Sequence, residues 1–128
     1  MRTAINAVII QDNKLLLVRK KLTWILPGGK PESGETDLEC LCREIDEELS
    51  GTRIKDIRYY NQFEGKTPHR GDVLKARVYF ASIDGPLYSV RNGDSISEMS
   101  WVDDFSKYNL SAITLKIVNS LQQDKYLS

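Results

Sequence analysis

The chain has 128 residues, 41% of them hydrophobic, which is enough for one core and leaves no room for a second, so we expect a single domain over residues 1–128. Lys and Arg together number 18, as do Asp and Glu, and the formal net charge is zero. Dedicated nucleic-acid binders and proteins of anionic membranes usually carry a basic excess, so this balance disfavours both classes and favours a small, diffusible partner.

The first segment of the chain predicts two strands and a cytoplasmic location. Residues 1–6 lack the apolar core of a signal peptide and no run is long enough to span a membrane, so we expect a cytoplasmic protein with no membrane partner. Ala4–Ile10 and Leu15–Val18 are apolar, and the polar tetrapeptide between them predicts a turn that joins two antiparallel strands.

A basic cluster, Arg19, Lys20 and Lys21, ends the second predicted strand. The ordinary interpretation is a solvated strand end, and the functional alternative is phosphate binding. Arg19 is our preferred phosphate ligand because its planar guanidinium fits phosphate oxygens. Trp24, which follows, could stack on a nucleobase, although packing beside the loop is the preferred interpretation.

A helix is predicted from about Asp37 to Leu49. Thr36 and Glu39 have the spacing of a capping box, and Asp37 suits the positive end of the helix dipole. The predicted apolar stripe consists of Leu38, Leu41, Ile45 and Leu49. Cys40 and Cys42 would point about 200° apart on this helix, so we expect two reduced thiols, and with the lone His69 they do not make a zinc site.

Three glutamates at the end of this helix break two helix rules. Glu44, Glu47 and Glu48 share an arc of about 100° beside the apolar stripe, in the last turns, where the dipole disfavours anions. Glu44 and Glu48 are also a like-charge i,i+4 pair. A hard divalent cation, which takes carboxylate and carbonyl oxygens, is the simplest compensation.

The stretch from Gly29 to Gly51 resembles the Nudix box, the signature of hydrolases that cleave nucleoside diphosphates linked to another group. The matching residues are Gly29, Glu35, Arg43, Glu44, Ile45, Glu47 and Glu48. One position departs from the pattern, because Ser50 stands where the family has glycine and Gly51 follows one residue later. We predict that Gly51 takes over the left-handed turn that ends the helix.

The resemblance implies a fold, a cofactor and the roles of several residues. It implies an α/β fold of the Nudix type, an α/β/α sandwich with a mixed β-sheet between helices. It makes the Gly29 carbonyl, Glu47 and Glu48 ligands of Mg²⁺, or of Mn²⁺ as a substitute, and makes Glu44 either a ligand or the base that orients water. Arg43 would pair with Glu35 or Glu47 to orient the box, and Gly28 and Gly29 would approach the substrate through their backbone.

Two strands and a polar loop follow the box. Ile54–Phe63 predicts one strand and Leu74–Ile83 a clearer one, with every second residue from Leu74 to Ser82 on one face. Residues 64–72 between them predict a mobile loop of the kind that carries substrate contacts, with Arg70 as a candidate. His69 could act as a general base, but an ordinary loop residue is the preferred interpretation.

The last part of the chain predicts a strand and a helix. Residues 98–103 resemble the family's late strand, and Ser111 could cap a helix from Ala112 to about Gln122. Many Nudix proteins add a carboxylate ligand from the loop before that strand, for which Asp94 and Glu98 are the candidates here and Glu64 an outside one.

The resemblance predicts hydrolysis of a nucleoside diphosphate derivative, which releases a nucleoside monophosphate. The short chain resembles nucleoside triphosphate pyrophosphatases, whereas Pro68 lies near the position of a proline common in ADP-ribose hydrolases. The alternatives are a catalytically silent nucleotide-sensing or binding module and an RNA 5′-end pyrophosphohydrolase, the latter disfavoured by zero net charge. The sequence also allows a homodimer.

Overall fold

A computed structural model describes residues 2–67, 71–90 and 96–128. The elements in chain order are β1 (Arg2–Val8), β2 (Ile10–Gln11), β3 (Lys14–Lys20), β4 (Thr23–Ile25), β5 (Gly28–Gly29), α1 (Asp37–Glu48), β6 (Arg53–Lys66), β7 (Val73–Asp84), β8 (Ile96–Val102), a 3₁₀ turn (Phe105–Lys107) and α2 (Ala112–Gln123). None of the helices in these ranges is long and apolar enough to cross a membrane.

Two sheets of different character form the middle layer. The first is mixed, in the order β5-β1-β7-β6, with β1 parallel to β7 and antiparallel to β5. In the second, β3 pairs antiparallel with β8 along one edge and with β2 and β4 along the other. The next element after β5, an edge strand of the mixed sheet, is the helix of the box, and residues 30–36 connect the two.

The two helices cover opposite faces of this layer. On one side α1 packs Leu41, Ile45 and Leu49 against a buried cluster that includes Ile5 and Ala7 of β1. On the other side α2 packs Ile117, Val118 and Leu121 against a second cluster, which includes the alternate β7 residues Ala76, Val78 and Phe80. Central strands are buried on both faces, and the predicted α/β/α sandwich is confirmed.

Three local predictions need correction. The first strand does not pair along its length with β3, because β1 joins the other sheet and only Ile10 and Gln11 form the predicted hairpin. The segment 64–66 is strand and not loop, since β6 runs to Lys66. Leu38 is 49% exposed, and Cys40 fills the core at the start of α1 instead, as a small apolar side chain.

The end of α1 also differs from the prediction. The N–H of Gly51 donates to the carbonyl of Asp46 at 2.8 Å, a bond typical of a left-handed helix ending. Ser50 has φ 51° and Gly51 has φ 91°, so Ser50 itself occupies the left-handed position that glycine usually takes. Gly51 has therefore not replaced it, and the chain leaves the helix through two consecutive residues of positive φ.

Candidate functional site

The site begins where β5 brings two glycines against β1. Ile5 and Asn6 pair with Gly29 and Gly28, and the side-chain amide of Asn6 donates to the carbonyl of Leu26 at 3.2 Å. Gly28 has φ 138°, and a Cβ there would lie 2.0 Å from the Ile5 carbonyl oxygen. Only glycine fits so close an approach of two backbones.

The second glycine faces a carboxylate of α1. A Cβ on Gly29 would lie 2.5 Å from the Glu44 carboxyl carbon, so any side chain at position 29 would need the space that Glu44 occupies. The Gly29 carbonyl, the predicted metal ligand, contacts the Cys40 thiol at 3.6 Å. Burial raises the pKa of that thiol to about 12, so Cys40 stays protonated and donates weakly.

Glu48 lies at the centre of the face that α1 buries. At about 100° per residue it falls between the directions of Cys40 and Leu41, about two turns further along the helix. Its carboxylate accepts the N–H of Gly28 at 2.8 Å. Burial is the main cause that raises its pKa to about 8. Within the described residues no Lys, Arg or His side chain forms an ion pair with it.

Arg43 connects the other carboxylates of the box. It contacts both predicted partners, with a forked pair to Glu35 at 2.7 and 2.9 Å and a longer contact to Glu47 at 3.4 Å. It also donates to Glu44 at 2.9 Å and to the carbonyl of Lys30 at 3.1 Å. The guanidinium thus ties the loop before the helix to the acidic end of the helix.

Electrostatics divides these carboxylates into two sets. The Arg43 guanidinium holds the pKa of Glu35 at about 2, well below its usual range. Burial raises the pKa of Glu44 even though Arg43 opposes the shift. Glu44 and Glu48, beside the two glycines, are therefore the carboxylates whose negative charge is not fully compensated by nearby positive charge.

The donor set fits a hard divalent cation. Carboxylate and carbonyl oxygens are the ligands that Mg²⁺ and Mn²⁺ prefer, and two of the carboxylates are partly buried with raised pKa. In the described ranges no three acidic, His or Cys side chains converge into a preformed metal cage. Arg43 now contacts Glu44 and Glu47, so a bound ion would compete with it for their oxygens.

Arg19, the predicted phosphate ligand, and its neighbour Lys20 lie on opposite faces of β3. Strand alternation places Lys20 on the face of Leu16 and Val18, which α1 covers, and its positive charge partly opposes the rise in the pKa of Glu48 that burial causes. Arg19 points to the opposite face and donates to Glu98 at 2.6 Å. The alternation of side chains along β3 shows from the sequence that Arg19 and Lys20 point to opposite faces. It does not show which of the two faces α1 covers.

Glu98 and the other candidates lie away from the box or outside the described residues. Met99 and Trp101 of β8 face α1, so Glu98 faces the α2 side with Arg19. Trp24 packs edge-on against Tyr108, with ring centroids 5.1 Å apart, and Glu64 lies opposite Lys75 on the mixed sheet. The remaining candidates lie outside the described ranges: Pro68, His69, Arg70 and Asp94.

One cluster of charged and aromatic groups was not predicted from the sequence. Asp37, at the start of α1, accepts two hydrogen bonds at 2.8 Å from Arg77 and one at 2.6 Å from the Tyr79 hydroxyl. No signal along the chain indicates this contact, because its partners lie 40 and 42 residues apart in sequence.

Comparison with known proteins gives a family and several relatives. The family model described as NUDIX domain matches residues 1–104. An ADP-ribose pyrophosphatase of Methanocaldococcus jannaschii is 32% identical over 78% of this chain and 60% of its own length. The mRNA-decapping protein g5R of African swine fever virus is 33% identical over 62% of this chain and 37% of its own. The chain thus spans less than two thirds of either curated relative.

A solved structure gives the same result for the fold. The crystal structure of a MutT NUDIX hydrolase from Burkholderia pseudomallei superposes with a TM-score of 0.80 and 27% sequence identity. The match covers 92% of this chain and 95% of that one. The similarity therefore includes both sheets and both helices, and not the box alone.

Proposed function

Because this chain belongs to the NUDIX family, we propose that it is a metal-dependent pyrophosphohydrolase acting on a nucleoside diphosphate linked to another moiety. The observation that carries this proposal is Glu48, a partly buried carboxylate beside Gly28 and Glu44 that forms no ion pair with a cationic side chain of the described residues. A bound divalent cation that contacts the substrate would compensate this carboxylate, and would explain why it stands at the end of a helix, where a negative charge is unfavourable.

Glu44, Glu47, Glu48 and the Gly29 carbonyl would hold Mg²⁺ or Mn²⁺. The ion would neutralise diphosphate oxygens and lower the pKa of the attacking water. Arg43 orients the Glu44 and Glu47 carboxylates through direct contacts. Glu44, partly buried with a raised pKa, is suited to accept a proton from water. Lys20 supplies positive charge for phosphate on the same face.

ADP-ribose is the first substrate to test, because the relative with 32% identity is described as an ADP-ribose pyrophosphatase. Nucleoside triphosphates and nucleotide sugars belong in the same panel, and capped RNA is included because the second relative is a decapping protein. The zero net charge disfavours a long RNA substrate, since phosphate contacts dominate affinity for nucleic acid.

The test incubates the protein with this panel in Mg²⁺, in Mn²⁺ and in excess chelator, and identifies the phosphate products. We expect a nucleoside monophosphate as one product and no turnover in chelator. Glu47→Gln should lose activity, while the neighbouring Asp46→Asn should retain it, because Asp46 is exposed and makes no side-chain contact in the ion-pair network. Turnover that persists in chelator would refute the mechanism, and nucleotide binding without turnover would favour a silent sensing module.

A further inference from the structure

Helix α1 is attached to the mixed sheet by directional contacts at both ends. At its last turn the Glu48 carboxylate accepts the Gly28 N–H of β5. At its first turn the Asp37 carboxylate accepts hydrogen bonds from Arg77 and Tyr79 of β7. The strands β5 and β7 lie on either side of β1, so the two attachments are about 10 Å apart across the sheet.

The contact between Asp37 and Arg77 at the first turn is bidentate and only partly exposed to solvent. Arg77 donates from Nε and Nη2 to the two Asp37 oxygens, both at 2.8 Å, and the side chains are 34% and 21% exposed. The forked geometry fixes direction as well as distance. Arg77 lowers the pKa of Asp37, whereas burial and Asp37 together raise the pKa of Tyr79 to about 12.

The same row of the sheet connects this contact to the candidate metal site. Ile5 of β1 pairs with Gly29 on one side and with Arg77 on the other. Gly29 in turn faces the Glu44 carboxylate of α1. The position of Asp37 relative to Arg77 therefore sets where Glu44 stands relative to Gly29, with α1 as a rigid connection.

The apolar face of α1 does not set this position by itself. Leu41, Ile45 and Leu49 bury aliphatic surface, and hydrophobic contact is non-directional, so it resists separation of the helix from the sheet more than a small slide along it. Charge-assisted hydrogen bonds have defined distances and angles and oppose such a slide.

We propose that Asp37, Arg77 and Tyr79 are positioning residues, which hold the first turn of α1 on β7 and thereby place Glu44 and Glu48 beside Gly28 and Gly29. This inference rests on the proposed function for its effect on turnover. Arg77 and Tyr79 lie outside the box, on β7, an element that contributes no predicted metal ligand.

The experiment compares two variants with two matched controls. Arg77→Lys removes the fork to Asp37, and Tyr79→Phe removes only a hydroxyl. Arg2→Lys is the control for the first, because Arg2 forms a similar forked pair with Asp72 at 2.7 and 3.3 Å without touching α1. Tyr60→Phe is the control for the second, because the Tyr60 hydroxyl donates at 2.6 Å to Asp124, at the end of α2.

Mn²⁺ affinity is measured by loss of the free-ion signal in electron paramagnetic resonance. The parameters kcat and KM are measured by steady-state kinetics at saturating Mn²⁺. We expect Arg77→Lys to bind Mn²⁺ several-fold more weakly and to lose about tenfold in kcat, since small displacements of reacting groups are costly. KM should change less than twofold, because no substrate contact is removed. Tyr79→Phe should shift both quantities in the same direction by a smaller factor, and both controls should match the wild type.

Two outcomes would overturn the inference. One is that Arg77→Lys and Tyr79→Phe both keep the Mn²⁺ affinity and kcat of the wild type. The other is that their controls lose as much Mn²⁺ affinity and kcat as they do. Urea midpoints measured in parallel separate positioning from stability, since Arg77→Lys and Arg2→Lys should lose similar stability. If the wild type hydrolyses no member of the panel, the proposed function fails, and the Mn²⁺ affinities alone then decide the positioning inference.

Discussion

At the scale of single residues, Ser50 carries a cost that a glycine would remove. Its φ of 51° is left-handed, a conformation that costs an L-residue about 1–2 kcal/mol. We expect Ser50→Gly to raise the free energy of unfolding by about 1 kcal/mol, and Gly51→Ala, at φ 91°, to lower it by a similar amount. Urea titrations of metal-free protein measure both, and an unchanged midpoint in Ser50→Gly would mean that no strain is stored there.

Single positions also show where a sequence pattern is insufficient. The spacing of Gly29, Glu44 and Glu48 predicts that these residues share a site, but it does not give the reason for glycine at position 29. That reason is a contact between separate segments, because the Glu44 carboxyl carbon lies 2.5 Å from where a Cβ of Gly29 would be. Arg19 and Lys20 are adjacent in sequence and equally basic. Only the side of the sheet on which α1 packs distinguishes them.

At the scale of elements, the attachment of α1 should depend on pH. Arg77 lowers the pKa of Asp37 in the folded protein below the value of about 3.9 expected when unfolded. A lowered carboxyl pKa stabilises the fold fully above the unfolded value, and that stability is lost as pH falls through the folded value. Asp37→Asn should therefore be less stable than wild type at pH 7, by on the order of 1 kcal/mol.

The difference between the two proteins should shrink as the pH falls below about 4, because the wild-type carboxyl then also becomes neutral. Urea midpoints from pH 7 to pH 3 measure it. In an Arg77→Gln background the same substitution should have a smaller effect, since only the Tyr79 hydroxyl and the helix dipole then stabilise the charged Asp37 carboxylate. A difference that stays constant with pH in the wild-type background would show that Asp37 acts through its shape and not its charge.

The helix itself was predictable because its determinants are local. The capping box of Thr36 and Glu39 is present, with contacts of 3.0 and 3.2 Å, and the predicted start at Asp37 is confirmed. The partners of β1 were not predictable in the same way. An apolar run indicates a strand but not the strand beside it, and β1 pairs with β7, more than 70 residues later.

At the scale of the whole molecule, the proposed metal binding would be coupled to folding. Glu48 lies on the buried face of α1 with a raised pKa and forms no ion pair among the described residues, so the metal-free fold bears the cost of its burial. Glu48→Gln keeps a side-chain oxygen that can accept the Gly28 N–H and removes the charge. We expect this variant, without metal, to unfold at the same urea concentration as wild type or at a slightly higher one.

Added Mg²⁺ should separate the two proteins, because a ligand stabilises only the state that binds it. At a Mg²⁺ concentration ten times its Kd, the wild type should gain about 1.4 kcal/mol of unfolding free energy, whereas Glu48→Gln should gain little. Its kcat should fall by roughly 10³-fold, through loss of a metal ligand. The measurement is a pair of urea titrations with and without Mg²⁺, together with steady-state kinetics. A variant that is clearly less stable without metal, yet keeps most of its activity, would make Glu48 a structural residue whose bond to Gly28 matters more than its charge.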